Sequence, residues 1–176
     1  MTIHSGHPFA EPESRRDPAR RLRGRLGGAV SLWTTGGAAG DGDRAGLTVT
    51  SLMVAPGEPA RVLALLDPDA DLAETVLETG TAVVQLLRWD NRDLADAFAG
   101  VAPAPGGAFR MGRWQQTEWG PLLEGVTTWT GVRLAATHQE MGWSTLLDCV
   151  VEHVVIGPDE DALAHRRGRY VRAGER

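Results

Sequence analysis

The sequence contains no lysine, because all 18 of its basic residues are arginine. Schiff-base chemistry and a lysine general base are therefore excluded. The single cysteine, Cys149, cannot form an intramolecular disulfide. No apolar run reaches the about 18 residues of a transmembrane helix, and the first residues lack the apolar stretch of a signal peptide. These absences favour a cytoplasmic protein that does not enter a membrane.

Metal and nucleic-acid sites are also disfavoured. The net charge of −5 and the pI of about 5.5 argue against general binding to nucleic acid, which needs a broad basic surface. None of the histidines forms a ligand pair at helical or strand spacing, and one cysteine cannot build a zinc site. We therefore expect no metal. The histidines are His4, His7, His138, His153 and His165.

Familiar catalytic motifs are missing too. There is no G-x-S-x-G elbow, no P-loop and no G-x-G-x-x-G fingerprint, since GGAAGDG precedes a strand pattern and not a helix. Ser51 and Ser144 lie in strand-like segments, where a structural role is the default. Cys149 lies in the apolar run LLDCVVE, which predicts an inert buried thiol. The catalytic residues therefore stay unknown at this point.

The hydrophobic pattern predicts short helices among antiparallel-type strands, an arrangement typical of a small β-barrel. Helices are expected over residues 17–25, 71–78 and 90–98, with Asp71 as an N-cap, and a Pro/Gly-rich loop over residues 101–117. The chain after Gly157 is charged and poorly patterned. We expect a disordered arm over residues 1–14, one domain over 15–160 and an Arg-rich tail over 161–176. Strands are expected over residues 29–35, 47–54, 61–66, 81–87, 125–136 and 143–156.

The segment AGLTVTSLMV, residues 45–54, changes its apolar face partway along. Leu47 and Val49 alternate with threonines, whereas Leu52 and Val54 share the face of those threonines. This predicts a bent strand with both faces in contact with something, which could be a second core, a partner chain or a ligand.

Tryptophan is the dominant aromatic residue, with six copies against one tyrosine. Trp89, Trp114 and Trp119 lie in or beside predicted loops. They could pack these loops onto the barrel or form a pocket for a planar ligand.

Several segments in a fixed order resemble the flavin reductase-like family of FMN-binding split barrels. The resemblance runs from about Arg25 to Tyr170. It rests on VSLWTT, a glycine loop, GLTVTSLMV, VLALL, ETGTAVVQLL, DLADAFAG, WGPLLEG and HRRGRY. It implies a mainly β, Greek-key split barrel of six strands, a homodimer, and FMN at the dimer interface.

The resemblance also implies which residues contact the flavin. In relatives the GLTVTS strand lies along the isoalloxazine ring, and hydroxyl and backbone groups of a bent strand suit its polar edge. This assigns flavin contacts to Thr48, Val49, Thr50 and Ser51. The preceding strand adds two further flavin contacts, Thr34 and Thr35.

Two segments depart from the family pattern. After VLALL, relatives commonly hold the FMN phosphate with Asn, Ser/Thr or basic residues, whereas this chain has DPDAD, beginning at Asp67. Like charges repel a phosphate dianion. Arg61, Arg167 and Arg169 are the replacements that the sequence offers, because arginine binds phosphate bidentately.

The second departure lies at Gly142-Trp143-Ser144, where nicotinamide-using relatives often have Gly-Asp-His. Trp143 and Ser144 are thus placed at the substrate. Hydride transfer itself requires geometry and not an acid or base. The resemblance implies an FMN-dependent oxidoreductase that takes hydride from NAD(P)H and passes electrons to free flavin, a partner monooxygenase or a small molecule. FAD or a deazaflavin could replace FMN, and a non-catalytic flavin-binding dimer or a scaffold without ligand is the alternative.

Overall fold

The computed structural model describes residues 17–38, 40–135 and 138–173. The arm predicted over residues 1–14, which includes His4 and His7, lies outside the described residues. The helices are α1 (Pro18–Leu26), α2 (Asp71–Thr79) and α3 (Arg92–Phe98). The strands are β1 (Gly28–Ala29), β2 (Ser31–Thr35), β3 (Ala45–Val49), β4 (Leu52–Ala55), β5 (Arg61–Leu66), β6 (Thr81–Leu86), β7 (Trp114–Gln116), β8 (Pro121–Leu123), β9 (Trp129–Leu134), β10 (Gln139–Met141), β11 (Ser144–Val155), β12 (Leu163–Arg166) and β13 (Arg169–Arg172).

One curled antiparallel sheet dominates the fold. Its strand order is β3-β2-β6-β9-β11-β5-β4, and β10 pairs with β11 beside this path. The strands at the two ends, β3 and β4, follow one another directly in the chain. The sheet must therefore curl until its ends meet, which confirms the predicted mainly β split barrel.

The meeting point of the two ends is a single residue, Thr50. Val49 pairs with Ser31 of β2, and the Ser31 hydroxyl donates to the Val49 carbonyl at 2.7 Å. Ser51 already belongs to the other end, because its carbonyl accepts the Leu65 N–H at 3.0 Å. Leu52 then packs against the same core as Val49 although it lies on the opposite phase of the strand pattern. The predicted bend with a change of face is confirmed.

Two apolar clusters hold the sheet from its two faces. The inner cluster contains Trp33, Leu66, Leu72 and Leu147, and it covers the buried side of α2. Because both faces of β2 are covered, all five of its residues are buried. Complete burial of an indole such as Trp33 contributes about 4–6 kcal/mol of transfer free energy. The second cluster joins β2, α3 and the C-terminal hairpin through Val30, Leu32, Leu94, Phe98 and Leu163.

Helix ends agree with the sequence at two places and differ at one. Asp17 caps α1, since its carboxylate accepts the Arg20 N–H at 3.2 Å. Gly80 ends α2 in the left-handed region, with φ of 70°. Asp71 is not the N-cap of α2, because Ala70 occupies that position and Asp71 is the first helical residue.

The expected loop over residues 101–117 contains regular structure. A 3₁₀ helix, Ala108–Met111, and strand β7 lie within it. The reason is aromatic packing, because the rings of Phe109 and Trp114 lie 4.9 and 5.8 Å from that of Phe98 in edge-to-face contact.

The chain after Gly157 is also more ordered than its pattern suggests. Strands β12 and β13 form a hairpin, and β12 pairs with β1. Leu163 is fully buried in the second cluster. The four-residue strands were too short for their alternation to be recognised. The domain boundaries drawn from the sequence stay a prediction.

Packing accounts for the three tryptophans near loops. Trp114 lies against the second cluster, Trp119 is only 9% exposed, and Trp89 carries the guanidinium of Arg92 at 4.0 Å from its ring centroid. Within residues 17–173, apart from the gaps given above, the helices are all too short or too polar to cross a membrane.

Candidate functional site

The junction around Thr50 exposes polar groups at the point where the sheet closes. The Thr48 hydroxyl donates to the Ala95 carbonyl of α3 at 2.7 Å, and the Ser51 hydroxyl donates to the Leu65 carbonyl at 2.7 Å. Val49 is buried in the core. Thr50 is half-buried, and its hydroxyl bonds to none of the residues that the structure describes. The junction therefore offers one uncommitted hydroxyl between two that tie it to α3 and β5.

Strand β1, which begins two residues after the end of α1, lies beside this junction. A Cβ added to Gly28, just after the helix, would lie 3.3 Å from the Thr50 carbonyl oxygen. The Arg167 N–H donates to the Gly24 carbonyl at 2.8 Å, which attaches the turn of the C-terminal hairpin to α1. Arg167 is thus held against α1, and Thr50 lies beside the start of β1 that follows this helix.

Trp143 lies at the other end of α1. It sits on the β10–β11 turn after Gly142, which has φ of 64°, and it is 80% exposed. The guanidinium carbon of Arg20 lies 5.9 Å from its ring centroid. Thr145 pairs with Leu66, so Ser144 and Asp67 flank the same end of the sheet.

These contacts close a ring that we call the crossover rim. It consists of Thr50 and Ser51, the β5–α2 turn that begins at Asp67, the β10–β11 turn with Trp143 and Ser144, and α1. Half of the residues predicted as site residues lie on it or, like Arg167, against it. Arg20 is a rim residue that the sequence analysis did not single out.

Thr34 and Thr35 lie away from the rim, inside the sheet. The Thr34 hydroxyl donates to the Pro121 carbonyl at 2.5 Å and accepts from Gln85 Nε2 at 2.9 Å. The Thr35 hydroxyl donates to the Thr81 carbonyl at 2.6 Å. Both residues are completely buried, so their hydroxyls satisfy neighbouring strands.

Arg61 also lies apart, at the opposite end of β5 from Leu65. Its guanidinium donates to Asp148 Oδ2 at 2.6 Å. This hydrogen bond and the charge of Asp148 raise the pKa of Arg61 above its ordinary value. Arg61 is ion-paired with Asp148, whereas Arg169 is exposed on β13. These two proposed phosphate ligands therefore lie in different sheets.

The hairpin next to α1 carries a half-buried titratable pair. The rings of His165 and Tyr170 lie 5.7 Å apart, edge to face. Burial, and then the charge of Arg23, lower the pKa of His165. Burial and the hydrogen bond with Asp96 raise the pKa of Tyr170. Both groups are neutral near pH 7, so the pair stabilises the hairpin without adding charge.

Two further features bear on possible chemistry. Burial raises the pKa of Cys149 to about 12, which agrees with the inert thiol predicted from the sequence. A cavity of about 460 Å³ is lined by Asp90, Asp93, Arg113 and Glu124 among others, and none of the predicted site residues lines it. In the part of the chain that the structure describes, no three ligand-type side chains converge on a metal position.

A protein-family model described as the flavin reductase like domain matches residues 23–174. The chain belongs to this family. The match covers nearly the whole described chain, including the C-terminal hairpin and the crossover rim apart from the first five residues of α1.

Curated relatives agree with this assignment. The chain is 31% identical over 159 residues to the FMN reductase (NADH) RutF of Agrobacterium fabrum. The aligned region covers 90% of this chain and 88% of that protein. It is 32% identical over 158 residues to the FMN reductase (NADH) RutF of Stutzerimonas stutzeri, which covers 89% and 87%.

Solved structures share the flavin reductase-like fold. The NADH:FAD oxidoreductase SgcE6 of Streptomyces globisporus superposes with a TM-score of 0.78 at 23% identity, over 96% of this chain and all of that one. The flavin reductase PheA2 gives a TM-score of 0.78 at 20% identity, over 91% and 100%. These two comparisons show the fold.

The turn between β5 and α2, with the first residue of α2, carries three carboxylates. Asp67, Asp69 and Asp71 are exposed, and Asp67 Oδ1 accepts the Asp69 N–H at 3.1 Å. The carboxylates offset the partial positive charge at the start of α2, where an anion would otherwise be favoured. A phosphate would meet repulsion of about 1 kcal/mol per unit charge pair at 4 Å in water. This turn is therefore unsuited to a phosphate.

Proposed function

We propose that the chain is an NAD(P)H-dependent flavin reductase, which moves hydride from a reduced nicotinamide to flavin and thence to an acceptor. The observation that carries the proposal is its similarity, over about nine-tenths of its length, to proteins named FMN reductase (NADH). FMN is the proposed flavin, with FAD or a deazaflavin as alternatives. SgcE6 supports a role for both ligands, since that protein was solved with NAD and FAD fragments.

The residues of the crossover rim fit the ring of a flavin better than its phosphate. Thr50 offers a half-buried hydroxyl that bonds to no other described residue, and Trp143 offers an exposed aromatic face for the substrate beside the flavin. The acidic turn at Asp67 does not fit the phosphate. When bound, the flavin supplies the ring atom that accepts hydride.

The chain's own residues would act by position and not by proton transfer. Thr48 and Ser51 fix the junction through their bonds to Ala95 and Leu65, so Thr50 is presented in one place. Trp143 would shield that side of the bound rings from water. No acid or base at this position is required, because hydride transfer depends on the distance and alignment of the two rings.

The direct test follows the loss of nicotinamide absorbance with purified full-length protein and NADH or NADPH. FMN, FAD and riboflavin are offered in turn under anaerobic conditions, and reduced flavin is measured by its own spectrum. Turnover with at least one flavin supports the proposal and identifies the donor. Flavin that binds without being reduced by either nicotinamide would favour the non-catalytic module instead, which the Trp143-Ser144 departure makes a real alternative.

We also propose a homodimer that covers the outer face of β4, β5 and β11. This face carries Met53, 67% exposed, and Leu65, 40% exposed, around the Arg61–Asp148 ion pair. Asp148 Oδ1 is buried with no partner among the described residues, so a donor from a second copy would satisfy it. Exposed apolar patches of this kind are normally covered by a partner. Light scattering should give twice the chain mass, and Met53→Asp should shift it toward the monomer.

A partner oxygenase is the remaining part of the proposal. BorF is named the flavin reductase component of a two-component tryptophan halogenase, and a further structural neighbour is nitrilotriacetate monooxygenase component B. We infer that this chain likewise supplies reduced flavin to a separate enzyme. The cytoplasmic location stays a prediction from the sequence.

A further inference from the structure

Two arginine-rich segments from opposite ends of the chain form one positive surface. On α1, Arg20, Arg21, Arg23 and Arg25 are exposed, and on the hairpin Arg166, Arg167 and Arg169 are exposed. The bond from the Arg167 N–H to the Gly24 carbonyl joins the two segments, and a Cβ on Gly27 would lie 3.3 Å from Arg166 Cγ. We call this surface the arginine face. It is notable on a chain with a net charge of −5.

The arginine face is not explained by ion pairs. In the described ranges, the guanidinium–carboxylate ion pairs join Arg61, Arg133 and Arg172 to their partners, and none joins a member of the face. Asp17 caps α1 by accepting a backbone N–H, and Asp96 bonds to Tyr170. Among the residues that the structure describes, no carboxylate forms an ion pair with the guanidinium groups of the face.

Packing does not explain the arginine face either. No residue of α1 is buried, so its arginines do not extend a core. Arg21 and Arg25 lie at i and i+4 on one helix, where like charges destabilise a helix by a few tenths of a kcal/mol. The face carries a small cost in stability, as expected of a surface that serves a ligand.

The two borders of the arginine face point to the ligand. At one border Arg20 lies over the exposed ring of Trp143, which places a flat stacking surface beside guanidinium groups. Across the crossover rim, the turn from Asp67 to Asp71 repels phosphate. A ligand with both a planar ring and a pyrophosphate complements the first border and avoids the second.

We propose that the arginine face docks the pyrophosphate of the nicotinamide dinucleotide, while one of its rings stacks on Trp143. This rests on the proposed reductase function and goes beyond it by assigning the donor subsite to α1 and the hairpin. The face also raises the local concentration of a dianionic donor and speeds its association.

The test uses the full chain with Arg20, Arg21 and Arg25 replaced together by Gln, which keeps helix propensity and leaves Arg23 beside His165. The matched control is Arg113→Gln, which removes an exposed charge at the cavity lined by Asp90 and Glu124, where no member of the arginine face lies. Riboflavin serves as acceptor, so the only phosphates present belong to NADH. KM for NADH is measured at low salt and again at about 0.5 M salt, where charge effects are screened.

We expect KM for NADH to rise about tenfold in the triple variant at low salt, with the control unchanged and the difference reduced to about twofold or less at high salt. A second variant, Arg166→Gln with Arg169→Gln, should move KM in the same direction. An unchanged KM for NADH with riboflavin, together with a raised KM for FMN, would assign the face to the flavin phosphate and overturn the proposal. No change with either flavin would overturn it as well.

A failure of the reductase function can be told apart from a failure of this inference. If the wild-type protein oxidises NADH with none of the flavins, the proposed function fails. In that case NADH is titrated calorimetrically into the wild-type protein and into the triple variant. Binding that weakens in the triple variant still supports the arginine face. Equal binding, or none to the wild-type protein, contradicts it.

Discussion

Replacing Gly131 with alanine should lower the stability of the protein, because the added methyl group would crowd the indole of Trp119. A Cβ on Gly131 would lie 2.5 and 2.6 Å from Cε3 and Cε2 of Trp119, and closer still to Cδ2. The backbone of Gly131 lies in an ordinary region, so only this contact opposes alanine. The indole would have to move by about 1 Å to reach normal contact, because carbon atoms pack at about 3.5 Å.

The expected cost can be worked from two contributions. Overpacking of this kind costs about 1–3 kcal/mol. The moving indole would also weaken its hydrogen bond to Glu152 Oε2, now 2.8 Å long, and lose its stacking on His153 at 5.3 Å. A hydrogen bond contributes about 0.5–1.5 kcal/mol, so Gly131→Ala should lower the free energy of unfolding by about 2–4 kcal/mol.

Urea denaturation followed by fluorescence measures this free energy directly. Gly24→Ala is the control, because a Cβ there meets nothing within 4 Å and alanine is favoured over glycine in a helix by about 0.5–1 kcal/mol. The control should be neutral or stabilised. A loss below about 0.5 kcal/mol in Gly131→Ala would refute the idea that Trp119 is held rigidly against this position.

Three further predictions concern buried polar groups. Burial lowers the pKa of His165 below 6.5, so the unfolded chain binds the proton more readily than the folded chain. The free energy of unfolding should therefore fall as pH drops below about 6.5. His165→Gln should flatten this dependence in a pH series of denaturation curves. Cys149 should react with a thiol reagent only after unfolding, and reaction in the native protein would contradict its burial. Thr34→Val should cost about 1–3 kcal/mol by removing the hydroxyl that bonds to both Gln85 and Pro121, while flavin affinity of the folded protein stays within about twofold. A large loss of flavin affinity at unchanged stability would instead favour the contact role assigned from the sequence.

The fold could be predicted because its elements carry local signals. Residues 61–66 are an aliphatic run between an Ala-Pro region and Asp67-Pro68, and β5 has those bounds. Gly80 marks the end of α2 because glycine adopts a positive φ without a Cβ penalty. The slip of phase at Ser51 indicated the place where the sheet closes. Such signals depend only on neighbours along the chain.

The site was harder, because it depends on pairings between distant residues. A threonine in a strand has the same pattern whether it faces a ligand or, like Thr34, bonds to a carbonyl 87 residues away. Arg61 had no visible partner until the register of β5 and β11 placed Asp148 beside it, also 87 residues away. The arginine face likewise needed the contact between α1 and the hairpin, which no local periodicity reveals.

The passage of the chain through Thr50 limits how the barrel can deform. Val49 is bound to one end of the sheet and Ser51 to the other, so a single residue spans the two. Two consecutive peptide units keep their Cα atoms within about 7.5 Å whatever the backbone angles. The ends of the sheet can therefore separate only by pivoting about Thr50, so that the gap between β3 and β4 widens with distance from this residue. Any ligand that enters between β3 and β4 has to enter from the end of the gap that lies away from Thr50, and Thr50 limits how deeply it can bind.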